Sequence, residues 1–445
     1  MIVLKKKNLI IFIAIFLISR ILTYYYFGFK SDYPLGTLHL PSEDLLFNDL
    51  LNTIKYWHFS QYFFIIFFGL ILKIFNGNIF FANGVWIFYS FLLSVGIIYY
   101  GIKIGIEFQL SKTQIFLLTI FLIINPNIIF YENYSSPVYI HTTCFLFSQL
   151  TFFFLKFYKK KNNFYTEISI YINLLILSLT WSLFHPVLIL LIFVFIQYFK
   201  KKINFNISII FLIIFSLSIL SSIKNKFVFN FFGNASNLGS NLSTTLPGHA
   251  NECNGLILEK ERWLFNNSND PNLHTILKSN LQNGVEWNAN HIGNITGSKK
   301  CFEWSFKKIV NEPAVYFKSR LYSFIASHSK FAFEFVVGSP KKLIFLLDFS
   351  SNKKIKLLKQ ILIFIYMSIV YGFFFYFLCF KKNIFNYKKS LFLIFFTYSW
   401  LLITGHLLNG YEQERMLYTG LFVHLVFWLN IFKLRLNFKK NKLII

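Results

Sequence analysis

Long apolar runs broken by lysine clusters constrain this chain more than any other feature. Residues 8–27, 81–101, 114–131, 137–155, 168–184, 186–199, 205–223, 359–380, 390–408 and 416–432 are each strongly apolar, with a shorter run at 61–75. A hydrocarbon core about 30 Å thick needs roughly 20 apolar residues per helix. The runs therefore predict an all-α polytopic membrane protein with about ten transmembrane helices. Hydrophobic residues make up 55% of the 445 positions, and Phe alone contributes 61. With Lys, Ile and Asn also abundant, that Phe content reads as AT-rich coding, so no single Phe is assigned a role.

Charge orients the spans. The chain has 44 Lys and Arg against 18 Asp and Glu, a net charge of +26. Lys and Arg beside spans mark the cytoplasmic side, and short basic loops there contact anionic lipid, so nucleic acid is not an expected partner. With Lys5–Lys7 inside and 61–75 not crossing, five clusters fall inside: Lys103/Lys112, Lys156 with Lys159–Lys161, Lys200–Lys202, Lys381/Lys382 with Lys388/Lys389, and Lys439/Lys440. Letting 61–75 cross would move two Lys triplets outside, so that run reads as an interfacial or re-entrant helix. Both ends are then cytoplasmic. The first run is span-length and lacks a small-residue cleavage site, so no cleavable signal peptide is expected.

This topology divides the chain into three parts. Residues 1–223 are an N-terminal transmembrane module with a first outer loop at 28–80, residues 224–358 a large outer loop domain, α-rich or mixed, and residues 359–445 the C-terminal transmembrane helices. Within the outer domain, 316–337 has the pattern of an amphipathic helix lying on the membrane. Cys144 and Cys379 fall in spans and only pack, whereas Cys253 and Cys301 share the outer domain, where they either pair or stay free.

All acids except Glu107 and Glu167 lie on the outer side, many at helix ends. In LPSEDLLFNDLLNTIKYWHFSQ, Leu45, Leu46, Leu50, Leu51, Ile54 and Trp57 recur at a helical period, with Ser42, Glu43 and Asp44 as a helix start. Asp44 is then either a capping acid or a base at the membrane surface. Glu132-Asn133 ends a span and either orients a ligand or forms an ordinary polar turn. His185 reads as a ligand or as a capping residue before Pro186. Lys224 either snorkels or meets a phosphate, and Arg415, between Glu412 and Glu414 and the last span, either binds phosphate bidentately or neutralises its neighbours. No nucleotide-binding loop and no CxxC or HExxH metal pattern is present, so the donor of any transfer reaction would arrive from the bilayer.

These residues resemble the integral-membrane glycosyltransferases of the GT-C fold, in the bacterial branch related to protein O-mannosyltransferases and aminoarabinose transferases. That group has an Asp in the first outer loop followed by a helix ending in His-x-Gln-Pro-Pro. Asp44, His58 and Gln61 match it, with Tyr62-Phe63 in place of the prolines. Glu132-Asn133-Tyr134 matches a Glu-Asn-Trp-like turn, and Phe184-His185 an Arg-x-x-Phe-His segment with Trp181 in place of Arg. Lys224-Asn225 and Ser236–Leu242 resemble a Lys-Asn opening with its Ser-Trp-Leu-Gly-x-Asn-Leu continuation. Asn288-Ala289-Asn290-His291 matches Asn-x-Asn-His, and Glu412–Arg415 the terminal Glu-Asn-x-Arg.

The resemblance implies a bacterial inner-membrane enzyme with its active site on the periplasmic side. It would take a polyprenyl-phosphate sugar as donor and a glycan, lipid or protein as acceptor. Asp44 would be the general base, Lys224 and Arg415 would receive the departing phosphate, and His58, Gln61, Glu132, Asn133 and Glu412 would bind substrate. Some relatives use a divalent ion, for which Glu132 with His185 or His291 would be the ligands to test. Two other classes share many spans with an outer loop. A flippase would need polar groups deep in several helices, where Arg20 stands out as an exception, and a polysaccharide polymerase or ligase would gather its active groups in the large loop.

Overall fold

The computed structural model describes residues 6–27, 40–59, 61–133, 139–159, 164–201, 204–248, 274–278, 281–282, 286–287, 290–333, 388–408 and 413–426. The described chain is almost wholly helical. Strands are limited, among these residues, to an antiparallel pair of two residues each, β1 (Leu281–Gln282) and β2 (Glu286–Trp287).

The helices are α1 (Lys6–Phe27), α2 (Glu43–Asn48), α3 (Leu50–Tyr56), α4 (Tyr62–Ile74), α5 (Ile79–Glu107), α6 (Lys112–Ile123), α7 (Pro126–Asn133), α8 (Tyr139–Lys159), α9 (Phe164–Thr180), α10 (Pro186–Lys200), α11 (Phe205–Phe229) and α12 (Leu238–Ser243). They continue with α13 (Thr275–Lys278), α14 (Gly293–Asn311), α15 (Pro313–Phe333), α16 (Lys388–Leu408) and α17 (Gln413–Thr419). Among the described residues, four helices are long and apolar enough to cross a membrane: 79–107, 139–157, 205–229 and 389–408. A fifth span forms if α6 and α7, bent by 41° at their junction, count as one. Shorter apolar helices cover 10–25, 62–74, 164–180 and 186–200. The expected span at 359–380 lies outside the described residues.

Local chemistry sets the helix starts. Ser111 and Gln114 close a reciprocal capping box on α6, satisfying two backbone groups that a helix end leaves open. His185 caps α10 by accepting from Val187 N at 3.3 Å, with Pro186 at the first helical position. Pro suits that position because its missing N–H would find no intrahelical partner there.

The 43–57 segment is not one continuous helix. Asp49, at φ −136° and ψ 44°, breaks it into α2 and α3, and its carboxylate there meets His274 and Asn52. Antiparallel to this pair runs α4. Its N-terminal Tyr62 OH donates to Trp57 O at 2.8 Å, and near its other end Lys73 Nζ donates to Phe47 O at 3.1 Å. Both ends of α4 are thus held against the first loop. The contact is tight at Gly69, where any Cβ would collide with the Leu50 side chain. Gln61 opens α4 in the left-handed region, at φ 81°, an uncommon conformation for a residue with a Cβ.

The segment containing α12, α14 and α15 packs onto helix ends. Ser298 Oγ accepts from Gly239 N at 3.0 Å and Ser240 N at 3.3 Å, joining α12 to α14. On α15, Tyr316 OH donates to Leu407 O at 2.7 Å, and the buried Arg320 donates to His406 O at 3.2 Å and Thr245 O at 2.8 Å. This helix, expected as an amphipathic surface element, is therefore fastened to the C-terminal end of α16. Cys301 is disulfide-bonded, while Cys253 lies outside the described residues. At the opposite end of the bundle, buried Glu167 is satisfied by Lys200 Nζ at 2.8 Å, Gln197 Nε2 at 2.9 Å and Tyr171 OH at 3.0 Å.

Candidate functional site

Three stretches that are distant in sequence close around the turn between α3 and α4. Asn290 accepts at Oδ1 from His58 N at 2.7 Å and Phe59 N at 3.3 Å, and its Nδ2 donates to Tyr56 O at 3.0 Å. One amide side chain thus ties three successive loose ends of the loop. His58 sits in the middle of this clasp, fully buried. Its Nε2 lies 2.8 Å from Asn290 O, and a carbonyl only accepts, so Nε2 carries the proton. Nδ1, 2.7 Å from Ser236 Oγ, then accepts from the serine hydroxyl. The backbone of Ser236 returns the contact, its N–H donating to His58 O at 3.0 Å.

A serine hydroxyl on an imidazole held by a third group has the outline of an activated nucleophile. Burial argues against that use. It pushes the His58 imidazole down to about 3, with nearby Lys224 acting in the same direction and the Asn290 carbonyl opposing. So weak a base does not activate a hydroxyl at neutral pH, and His58 serves as a pin between segments. The pin is pH-sensitive. The unfolded imidazole titrates near 6.5 while the folded one stays neutral, so stability is complete above about 6.5 and declines as pH falls toward 3. Going from pH 7 to 5 should cost the clasp about 2 kcal/mol. Amide exchange at Phe59 reads this directly, and a flat profile between those pH values would refute it.

Lys224, near the C-terminal end of α11, takes a different place from the one expected. Its Nζ donates to Trp57 O, to Ile54 O at 3.4 Å and to Tyr62 OH at 2.9 Å, and lies 4.9 Å from the Tyr62 ring centroid. It therefore caps the carbonyl end of α3, where a cation suits the helix dipole. Its neighbour Asn225 is buried and donates to Gly233 O at 2.7 Å. Gln61 is buried beside them.

Asp44 remains exposed in the first turn of α2, with Ser42 as the extended N-cap residue. Asn48 Nδ2 donates to its Oδ1 at 2.6 Å, which fixes the carboxylate and leaves Oδ2 to receive a proton. At the break between α2 and α3, Asp49 Oδ2 pairs with His274 Nε2 at 2.6 Å, and Asn52 adds 2.9 Å to Oδ1. His274 also stacks on Tyr56, with centroids 5.1 Å apart. The His274 hydrogen bond holds the Asp49 carboxyl below the usual range despite some opposing desolvation.

Glu132 belongs to a second cluster. It is salt-bridged to Arg20 at 2.7 Å and accepts from Ser94 Oγ at 2.5 Å. Asn133 bonds its own helix, donating to Ile129 O at 2.8 Å. Tyr131 stacks on Tyr418 with centroids 4.4 Å apart, which sets the end of α7 beside α17. The backbone of α17 includes Arg415, while the Arg415 side chain and the whole of Glu412 lie outside the described residues. His291 Nδ1 accepts from Gly293 N at 3.0 Å, and His185 caps α10. Among the described residues no three His, Cys, Asp or Glu gather to hold a metal ion. Glu132, His185 and His291 each have separate hydrogen-bond partners.

Sequence reading did not find the partners that matter most here. Arg20 carried a signal, as a charge inside a span. Ser94, His141, Tyr418 and His274 carried little, because each acquires its role through a contact far along the chain, whereas Ser236 and Asn290 stood in stretches that carried the resemblance but not the contact with His58. No protein-family model, curated protein or solved structure matches this chain.

Proposed function

We propose that this chain is a membrane glycosyltransferase that moves a sugar from a polyprenyl-phosphate donor to a glycan, lipid or protein acceptor on the outer face. The observation that supports this best is the convergence of the first outer loop with Lys224-Asn225, Ser236 and Asn290. Four stretches that resemble successive GT-C motifs thus meet around one turn. In this reading the chain has ten spans with both ends inside, and α4 lies at the outer interface. Both ends of α4 contact the same loop, which supports an interfacial rather than a crossing helix.

Asp44 takes the proton from the acceptor hydroxyl as that oxygen attacks the anomeric carbon. The bond from that carbon to the lipid phosphate breaks with inversion, and the phosphate leaves with the electron pair. Arg415 is the cation assigned to the departing charge, since Lys224 is engaged at the end of α3. The test uses right-side-out and inverted membrane vesicles supplied with a short-chain polyprenyl-phosphate sugar. Donor consumption should occur in the right-side-out vesicles. Equal consumption in both, or none in either, would defeat the proposal.

A further inference from the structure

Glu132 lies in the last turn of α7, where a helix dipole disfavours an anion. It is nevertheless surrounded by donors. Paired with a guanidinium, it is a carboxylate and can only accept, so Ser94 Oγ donates to Oε2 at 2.5 Å. The Ser94 oxygen then accepts from His141 Nε2–H at 3.0 Å. For a neutral imidazole Nδ1 carries no proton, and it accepts from Tyr418 OH at 2.9 Å. Side chains from α17, α8 and α5 thus form a chain in which every proton points toward Glu132.

The two carboxylate oxygens become unequal. Oε2 receives Ser94, Arg20 Nη2 at 2.7 Å and Arg20 Nε at 3.1 Å, whereas Oε1, among the described residues, has only Arg20 Nε at 3.3 Å. A carboxylate offers about four acceptor sites over its two oxygens, so Oε1 retains room for a further donor. Arg20 is itself fixed, by Ile123 O at 2.5 Å, Ser19 Oγ at 3.0 Å and the Phe16 ring at 3.9 Å.

We propose that Arg20 and the Tyr418–His141–Ser94 chain are a positioning apparatus that holds Glu132 so that Oε1 accepts from a hydroxyl of the sugar or the acceptor. The assignment rests on the glycosyl-transfer reading above. The ligand class follows from charge: Arg20 already neutralises Glu132, leaving a neutral O–H donor as the better partner and no net anion to attract a cation.

Fastening α1 to the bundle is the competing account, and the two diverge in one experiment. A buried ion pair replaced on both sides by apolar residues of similar volume is usually neutral or stabilising. Full-length protein carrying both Arg20→Met and Glu132→Leu, and separately Ser94→Ala, is compared with wild type in detergent. Unfolding temperature is read beside kcat and KM for a short-chain polyprenyl-phosphate sugar. The paired variant should unfold near the wild-type temperature, whereas Ser94→Ala, which leaves the buried His141 Nε2–H without its acceptor, should unfold below it yet remain folded. The paired variant should lose about 10- to 100-fold in kcat/KM, the worth of a hydrogen bond to a charged group. Ser94→Ala should show a smaller loss carried by KM. Wild-type kcat/KM in a folded paired variant overturns the assignment and leaves Arg20 as a fastener. If the paired variant does not fold, unchanged kcat and KM in Ser94→Ala overturn it instead. A wild-type protein that consumes no donor removes the glycosyl-transfer reading, and this assignment with it.

Discussion

Asp44→Asn should lower sugar transfer by about 100- to 10,000-fold, the range for loss of a general base. The amide is isosteric and cannot take the acceptor proton. Asp44 is exposed, and its side-chain partner is Asn48 in its own helix, so the substitution should leave the unfolding temperature near that of wild type. Donor binding should also persist, because in this mechanism the base acts on the acceptor. Retention of more than about a tenth of the rate would move the base elsewhere. Glu43 is then the next candidate, ahead of Asp49, whose carboxylate is already committed to His274.

Asn290→Ala should be among the most destabilising single substitutions between α11 and α16. It strips the acceptor from His58 N–H and Phe59 N–H and the donor from Tyr56 O. Each of the two buried N–H groups left unpaired costs about 1–3 kcal/mol, so the loss should reach roughly 2–6 kcal/mol before any contribution from the part-buried Tyr56 O. The alanine cavity admits at most partial repair. Hydrogen exchange should then lose protection at the His58 and Phe59 amides, and the turn from Tyr56 to Gln61 should become a protease-sensitive site. Asn290→Asp is the informative companion. It keeps an acceptor for the two N–H groups and withdraws the donor from Tyr56 O, so it should fall between wild type and alanine. Unchanged amide protection in Asn290→Ala would mean that the clasp does not hold the turn.

Much of the helical framework was legible because span-length hydrophobicity is a local property. Residues 205–223 and 390–408 needed no distant partner to be recognised, and α11 and α16 occupy them. The break at Asp49 was not legible. The Leu45–Trp57 periodicity fits a single helix, and His274, which meets the Asp49 side chain at the break, is 225 residues away. Lys224 shows the same limit. A cation near the end of a span announces its charge but not its ligand, and here three oxygens of the α3–α4 turn take it. Arg20 was visible as an anomaly, but its partner, 112 residues away, was read from sequence as a ligand-orienting or turn acid and not as the other half of an ion pair.

The Asn290 clasp also fixes an order of events. His58 and the amide side chain that receives its N–H are 232 residues apart. At synthesis rates of about 5–20 residues per second, the first loop exists for roughly 10–50 seconds before its closing partner has been made. During that interval the Tyr56 carbonyl and the His58 and Phe59 amides have water, lipid headgroups or chaperones in place of the Asn290 side chain. A competent site therefore forms late, after more than half the chain has been translated. Synonymous codon changes that alter ribosome pace between residues 61 and 289 should then alter the yield of active protein without touching a single side chain of the site.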